Sequence, residues 1–521
     1  MFVPWAASLR STCDAYASEI AVTDSETSLD FRSIGARSAH VARTLLDLGI
    51  KPGDPVGLSL VNSNASVWAS FGVRLSGAAE THLNPALGLD EKRYYVELTK
   101  LKYVVTSRAM AQEFRAVGCE VLCVEDLGED DTDLALIPAV PGDANGRIGF
   151  TSGTTGRPKA VVQTHGARWI ATIMQRATAP TAVGPGNRIL LMTPYMHGAS
   201  VLAMSFLERG AGIILLPGVD LPRVEAILTA GQVDHVFAPP TVLAKLSGAF
   251  DSRRFEDIKA VFTGTAPLTS ALYEQAREMF GPVLRVTYGK TEMTNPITVL
   301  DSRQCDEIYR NGGAGSGVCV GFAAPGVEIQ LRDEDGGEAS DNFGEIYLRG
   351  PQMALGHFDQ HGFHRLPEDG FHATGDLGRF DDHGRLYLVG RLADVMKSGG
   401  YKVHPNEIEE VLAKTVERGE VCIISLPSDY WGEVIVAVAE NAEVDWPEQA
   451  AKAVSHLAKH KQPRHFLTIE ELPKNVQGKV VRAKVREHVQ KKYTLTDGAY
   501  PQLVARQIND LRDQTRSTGI K

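Results

Sequence analysis

Apolar positions along residues 30–105 change period several times. Ile34, Val41, Ala42, Leu45 and Leu46 recur at helical spacing, with the small Ser38 on the same face, which predicts an amphipathic helix. Pro52-Gly53-Asp54 then turns the chain into the apolar run Val56-Gly57-Leu58-Ser59-Leu60-Val61, short and continuous as a buried strand is. A second unit runs from a helical segment over 67–75 to the short strand Tyr103-Val104-Val105. Further buried-strand patterns stand at Ile189-Leu190-Leu191-Met192, Ile213-Ile214-Leu215-Leu216, His235-Val236-Phe237-Ala238 and Ala260-Val261-Phe262-Thr263, with helix-length segments between them. Strands alternating with helices in this way predict an α/β fold on mostly parallel sheets.

The texture changes at 312–390. Val327-Glu328-Ile329-Gln330-Leu331 and Glu345-Ile346-Tyr347-Leu348 are short strand-like runs set among turns such as Asp333-Glu334-Asp335-Gly336-Gly337. This predicts a β-rich antiparallel subdomain. It changes again after Gly390-Arg391. Pro405 opens a helix with Ile408, Val411, Leu412 and Val416 on one face, followed by strands at 421–425 and 434–439 and a helix over 447–460. The pattern therefore divides the chain into an N-terminal α/β domain over 1–390, a small α+β domain over 391–490, and a polar, weakly patterned extension over 491–521.

Composition narrows the function. The chain has 521 residues, 43% hydrophobic and 23% charged, with 54 Lys plus Arg against 64 Asp plus Glu. The net charge of −10, with no basic block, argues against general nucleic-acid binding, which rests on phosphate neutralisation. A polyanion would need a local pocket that concentrates positive groups. Of the cysteines Cys13, Cys119, Cys123, Cys305, Cys319 and Cys422, only Cys119 and Cys123 are close, with no second pair or His at zinc spacing. Reduced thiols and a cytoplasmic location are the expectation. The start, Met1-Phe2-Val3-Pro4-Trp5, lacks the basic segment of a signal peptide, and no stretch reaches the ~20 apolar residues of a membrane span.

The chemistry concentrates at Phe150-Thr151-Ser152-Gly153-Thr154-Thr155-Gly156-Arg157-Pro158-Lys159. Glycines let backbone N–H groups converge on an anion, hydroxyls add donors and Lys159 adds a point charge, a composition suited to cradling phosphates. It is not a Walker A loop. Gly289-Lys290-Thr291 also fails that pattern, because Leu284 stands where its first Gly is required.

The 151–159 segment resembles the signature of the adenylate-forming superfamily, which includes acyl-CoA synthetases, peptide-synthetase adenylation domains and luciferases. Other segments resemble that superfamily's motifs in order: Gly264-Thr265-Ala266-Pro267-Leu268, Tyr288-Gly289-Lys290-Thr291-Glu292, Thr374-Gly375-Asp376-Leu377-Gly378, Gly390-Arg391, and Pro473-Lys474-Asn475-Val476-Gln477-Gly478-Lys479. Together they cover most of the chain from 150 to 482.

The resemblance implies ATP, Mg²⁺ and coenzyme A as cofactors, and activation of a carboxylic acid as an acyl-adenylate. It implies that Lys479 meets the α-phosphate and the carboxylate, and that Thr151, Ser152, Gly153, Thr154, Thr155, Gly156 and Lys159 hold the outer phosphates. Glu292 and Thr155 would serve Mg²⁺, with Thr291 beside them. Gly264, Thr265, Ala266, Pro267, Tyr288 and Gly289 would border the adenine, and Asp376 with Arg391 the ribose. The small C-terminal domain is expected to be mobile about the hinge at Arg391, with Gly399 and Gly400 lining a pantetheine tunnel in a second orientation. Ala393 departs from the Asp or Lys common at the pivot.

Thr193-Pro194-Tyr195-Met196-His197 resembles the family's P-x-x-H segment, with His197 at the mouth of the acyl pocket. The implied walls, Val201, Phe237, Thr263, Gly264 and Ile297, are mostly apolar, and Phe237-Ala238-Pro239-Pro240 carries no carboxylate to pair with an α-ammonium. The expected substrate is a hydrophobic or bulky acid rather than an amino acid, acetate or a dicarboxylate. Lys290 is expected either to meet a polar group of that substrate or to point to solvent or the phosphates. The partners implied are a small-molecule carboxylic acid and CoA. A carrier protein as acyl acceptor, an enzyme of one half-reaction, a non-catalytic nucleotide binder and a homodimer stay open as alternatives.

Overall fold

The computed structural model describes residues 1–128, 133–151, 158–179, 183–264, 266, 268–310, 317–339, 341–367, 369–416, 419–474 and 480–506. Three sheets build the N-terminal part. In the first, the parallel strands Pro55–Ser59, Ala79–His82, Tyr103–Thr106 and Glu120–Cys123 continue through Asn145–Thr151 into the antiparallel strands Lys159–Thr164, Gly356–Asp359 and Gly362–Arg365. In the second, Arg188–Leu191, Gly212–Leu215, His235–Phe237, Ala260–Gly264 and Leu284–Thr287 are parallel, with Ile20–Thr23 and Ser28–Asp30 at one edge. The third is antiparallel and contains Val318–Ala323, Glu328–Arg332, Phe343–Arg349, His372–Phe380 and Leu386–Arg391. The expected α/β class with a β-rich subdomain is therefore observed.

The helices Phe31–Asp47 and Asn64–Leu75 pack against each other. They meet closely because residue 72 is glycine: a Cβ there would lie 2.4 Å from Val41 Cβ. Asp30 caps the first of them, accepting from the Ser33 N–H at 2.8 Å, which satisfies one of the orphan donors of the first turn.

The last strand of the third sheet ends at Arg391, and after the turn Leu392–Asp394 the chain enters a different sheet at Met396–Ser398. That sheet holds Val421–Ser428 and Gly432–Glu440, with His465–Ile469 running parallel to the latter. Its two faces bury cores drawn only from residues beyond 395, one around Trp446 and Ile408 and one around Val485 and Leu472. Ala393 sits exposed in the connecting turn.

Two expectations need correction. The helix expected over 447–460 is Trp446–Ala453 followed by short 3₁₀ turns. The chain beyond 490 is not patternless: Tyr493–Leu495 and Leu503–Ala505 form an antiparallel pair, and Tyr493, Leu495 and Leu503 pack on the second of those cores. The alternation is too brief to stand out from a polar stretch.

Separate cores predict separate failure. Trp446 is fully buried and donates to Thr415 Oγ1 at 2.9 Å. Trp446→Ala should cost about 3–5 kcal/mol and lower the unfolding transition of the C-terminal domain while leaving the N-terminal transition in place. A calorimetric scan in which both transitions fall together would contradict this division.

Candidate active site

Thr151 ends one strand and Lys159 begins the next, and the two are antiparallel partners in register. The phosphate-type loop is therefore the connection of a hairpin, and Tyr94 anchors its far end by donating to the Pro158 carbonyl at 3.0 Å. Ser152, Gly153, Thr154, Thr155 and Gly156 lie outside the described residues, as do Thr265, Pro267 and Lys479. The backbone of His197 falls in the helical turn Tyr195–Ala199.

The turn that carries Thr291 and Glu292 is tied to that hairpin. Gln163 Nε2 donates to the Thr291 carbonyl at 2.9 Å. On the other side, the Ala354 N–H donates to the Glu292 carbonyl at 2.8 Å, and the Leu355 N–H to the Val162 carbonyl at 2.7 Å. Gly149 faces the same turn, and a Cβ on it would approach Thr291 Cγ2 to 3.2 Å. Glu292 is half-buried, and no described residue bonds its carboxylate. A carboxyl group without a partner among the described residues fits a hard cation, which takes oxygen ligands.

Asp376 holds the other end of the site. Gly375, at φ +69°, is in the left-handed region that suits glycine; its N–H donates to Glu345 Oε1 at 2.9 Å. The Asp376 N–H donates to Thr374 Oγ1 at 3.0 Å. Three donors converge on the Asp376 carboxylate, which is only 8% exposed with its residue. They are the Tyr288 hydroxyl, Lys290 Nζ at 3.2 Å and Arg391 Nε at 3.2 Å. Burial, then the Asp376 charge, holds the Tyr288 hydroxyl well above its usual range, so it stays a proton donor. Gly264 borders this region: a Cβ there would lie 2.5 Å from the Thr287 carbonyl oxygen, so only glycine lets the two strand ends approach. Gly289 likewise faces the Asn295 side chain at 2.8 Å. Ala266 is half-buried just beyond Gly264.

Of the orientations expected for Lys290, the solvent-facing one is not observed: its side chain is largely buried. Its Nζ also donates to the Thr374 carbonyl at 2.6 Å, so both of its partners belong to the 374–376 segment.

Two histidines were not anticipated. His372 opens the same strand as Thr374 and Asp376, His372–Phe380, which bulges against its neighbour between Ala373 and Leu377. Burial lowers its pKa, and Glu292, Lys290, His357 and Asp376 all act on it electrostatically. His357 is paired with Val161 across the hairpin and feels Lys159 and Glu292 in the same way. Glu292 is thus among the charges acting on both imidazoles, and nothing local in the sequence marked either as a site residue. Gly399 and Gly400 adopt φ +58° and +85° in the turn between Met396–Ser398 and Tyr401–Val403, where the Gly399 N–H donates to the Trp431 carbonyl at 2.9 Å.

The expected acyl walls are only partly as predicted. Ile297 is fully buried and Val201 and Phe237 are half-buried, but the Thr263 hydroxyl is buried with no hydrogen-bond partner among the described residues, as is that of Thr294 nearby.

The shared carboxylate couples its donors. Lys290→Met should destabilise the fold by about 1–3 kcal/mol, the scale of a buried charge-assisted hydrogen bond. Combined with Asp376→Asn it should cost less than the sum of the two single changes. Strict additivity in denaturant unfolding would show that the two side chains do not act on each other.

Comparison with known proteins agrees with this geometry. The AMP-binding enzyme family matches residues 9–358, and the AMP-binding enzyme C-terminal domain matches 407–479. A 2-succinylbenzoate–CoA ligase of Oceanobacillus iheyensis is 27% identical over 461 residues, covering 87% of this chain and 93% of its own. The long-chain-fatty-acid–CoA ligase FadD13 of Mycobacterium tuberculosis is 28% identical over 509 residues, covering 93% and 98%. Among solved structures, the O-succinylbenzoate coenzyme A synthetase of Bacillus subtilis in complex with ATP and magnesium ion superposes with a TM-score of 0.79 at 24% identity, covering 92% of this chain and 99% of its own. ATP-bound MatB from Rhodopseudomonas palustris gives 0.81 at 24% identity, covering 94% and 99%. With more than half its length inside the family match, the chain belongs to the AMP-binding enzymes of the adenylate-forming superfamily.

Proposed function

We propose that this protein is an ATP-dependent acyl-CoA ligase that activates a carboxylic acid as its adenylate and passes the acyl group to the thiol of CoA. The observation that carries the reading is the placement of three sequence-distant motifs on adjoining elements: Thr151 and Lys159 on paired strands, the Thr291–Glu292 turn tied to them through Gln163, and Asp376 held by Tyr288, Lys290 and Arg391. The names of the full-length relatives support it: they are CoA ligases, and one related synthetase is described with an acyl-adenylate intermediate.

A carboxylate is a poor acyl donor because its leaving group would be oxide. In the first step its oxygen attacks the α-phosphorus of ATP, and the bond to pyrophosphate breaks. Two anions must meet, so the site has to supply fixed donors and positive charge. On this reading Lys159 and the hairpin donors hold the outer phosphates, Lys479 meets the α-phosphate and the acid, and Asp376 accepts from the ribose hydroxyls. Glu292, with Thr155, would hold Mg²⁺, which neutralises phosphate charge when bound. In the second step the CoA sulfur attacks the acyl carbon and AMP leaves. Gly399 and Gly400 would then line the pantetheine path after rotation about the 391–396 connection. His197 and the half-buried Val201 and Phe237 would receive the apolar body of a bulky acid.

Acid-dependent pyrophosphate release, followed by thioester formation with and without CoA, tests the reading. Lys479→Ala should abolish the first while leaving thioester formation from a supplied acyl-adenylate largely intact. Equal loss of both steps would contradict the division of labour between the domains.

A further inference from the structure

A concentration of buried charge lies behind the acyl walls and takes no part in the chemistry above. Glu80, on the strand Ala79–His82, is 1% exposed. Its Oε1 accepts from Arg74 Nε at 3.2 Å, Arg74 Nη2 at 3.1 Å and Ser70 Oγ at 3.0 Å. Its Oε2 accepts from Arg168 Nη2 at 2.6 Å and lies 3.4 Å from His82 Nε2. A third guanidinium, Arg147, acts on the same group electrostatically and donates to the Met196 carbonyl at 2.6 Å.

The charges do not balance. Arg74 and Arg168 are 2% and 7% exposed, and burial lowers Arg168 only to about 9, leaving it charged at neutral pH. The flanking His82 and His165 are driven to about 4 by burial and are neutral there. The arginines hold Glu80 well below the usual carboxylate range despite its burial. Glu208, the next carboxyl within reach of Arg74, is paired with Arg176 at 3.4 Å and is pushed up by burial. Arg74 and Arg168 thus share one carboxylate, with Arg147 acting on it electrostatically and the Gly146 carbonyl accepting from Arg168 Nη1 at 2.6 Å; guanidinium groups outnumber the carboxylate they surround, an arrangement that an anion would complete.

The cluster borders Val201, one of the residues implied as an acyl wall. Arg74 and Arg168 line a cavity of about 10 Å³ whose other walls are Trp5 and Met204 as well as Thr172, Ser200, Val201 and Thr294. Ser200 and Val201 directly follow the turn that carries His197, and Thr294 lies two residues beyond Glu292. The Thr294 hydroxyl and His82 Nδ1, both over nine-tenths buried, have no hydrogen-bond partner among the described residues. The lining therefore offers fixed cations and an unused hydroxyl where a purely hydrophobic acid would need neither.

We propose that the floor of the acyl pocket binds a second anionic group, so that the substrate is a carboxylic acid carrying another carboxylate at its far end. This deepens the ligase reading and rests on it. The substrate's apolar body would pass Val201 and Phe237. Its distal carboxylate would take the place of the missing counter-charge at Arg74 and Arg168, with Thr294 donating. The sequence alone favoured a hydrophobic acid over a dicarboxylate, because each arginine lies on a different element and none falls within a recognised motif.

The test compares a series of dicarboxylic acids with the monocarboxylic acids in which a methyl group replaces the far carboxylate. Two readouts are used: acid-dependent pyrophosphate release, and thermal stabilisation of the protein by the acid without nucleotide. The diacid of best length should exceed its monoacid in kcat/KM by roughly tenfold to a hundredfold, as expected for charge-assisted pairing. Arg168→Gln should erase that ratio. Thr294→Val, which conserves shape and leaves every ion pair intact, should reduce it and serves if Arg168→Gln does not fold. Monoacids turned over as well as or better than diacids would overturn the second anion site and leave the ligase reading standing. Stabilisation by diacids alone, with no pyrophosphate from any acid, would uphold the anion site and overturn the ligase reading. Neither turnover nor stabilisation by any acid would overturn both.

Discussion

The site is organised around a single buried carboxylate. Asp376 sits where the antiparallel sheet meets the end of the parallel one; it accepts from the phenol of Tyr288 and the ammonium of Lys290 and pairs with the guanidinium of Arg391. A carboxylate so enclosed is stable only while its donors stay in place. It thereby fixes the end of the strand Leu284–Thr287, the turn that leads to Glu292, and the last strand before the inter-domain connection. The opposite wall is fixed differently, by the antiparallel register that pairs Thr151 with Lys159. Between these two anchors the 290–293 turn has little freedom, since Gln163 and the Ala354 N–H hold its carbonyls.

Much of this was legible in the chain. The buried strands near 56, 104, 190, 214, 236 and 261 are short apolar runs bounded by turns, a pattern that survives any tertiary context. The change of sheet after Arg391 coincides with a shift in composition. The motifs bearing Thr151, Glu292 and Asp376 were legible because glycine and hydroxyl residues at fixed spacing serve the backbone as well as the chemistry. Lys290 was misread because its partners lie more than eighty residues downstream. His357 and His372 escaped notice for the same reason. The hairpin beyond 490 was missed because its pairing is supported by packing on the C-terminal domain more than by its own alternation.

The interior arginines illustrate a limit of pattern reading. Arg74 and Arg168 stand on helices among apolar neighbours, and a helical arginine is ordinarily read as solvated or as snorkelling to the surface. Their burial against Glu80 follows from the approach of two helices to one strand, a relation no local window contains. The same approach places positive charge beside Val201, which the proposed function assigns to the acyl pocket. Specificity in such a pocket would come less from the apolar wall, where one methylene is worth little, than from whether the far end of the acid satisfies groups already paired off against water.

The account stands on Asp376 meeting the two ribose hydroxyls of the nucleotide. Calorimetric titration of AMP and of its analogue lacking both ribose hydroxyls, into the native protein and into Asp376→Asn, measures that contact directly. The native protein should prefer AMP by roughly tenfold or more, as charge-assisted hydrogen bonds require, and the substituted protein should show little preference. An undiminished preference in Asp376→Asn would mean that the ribose lies elsewhere.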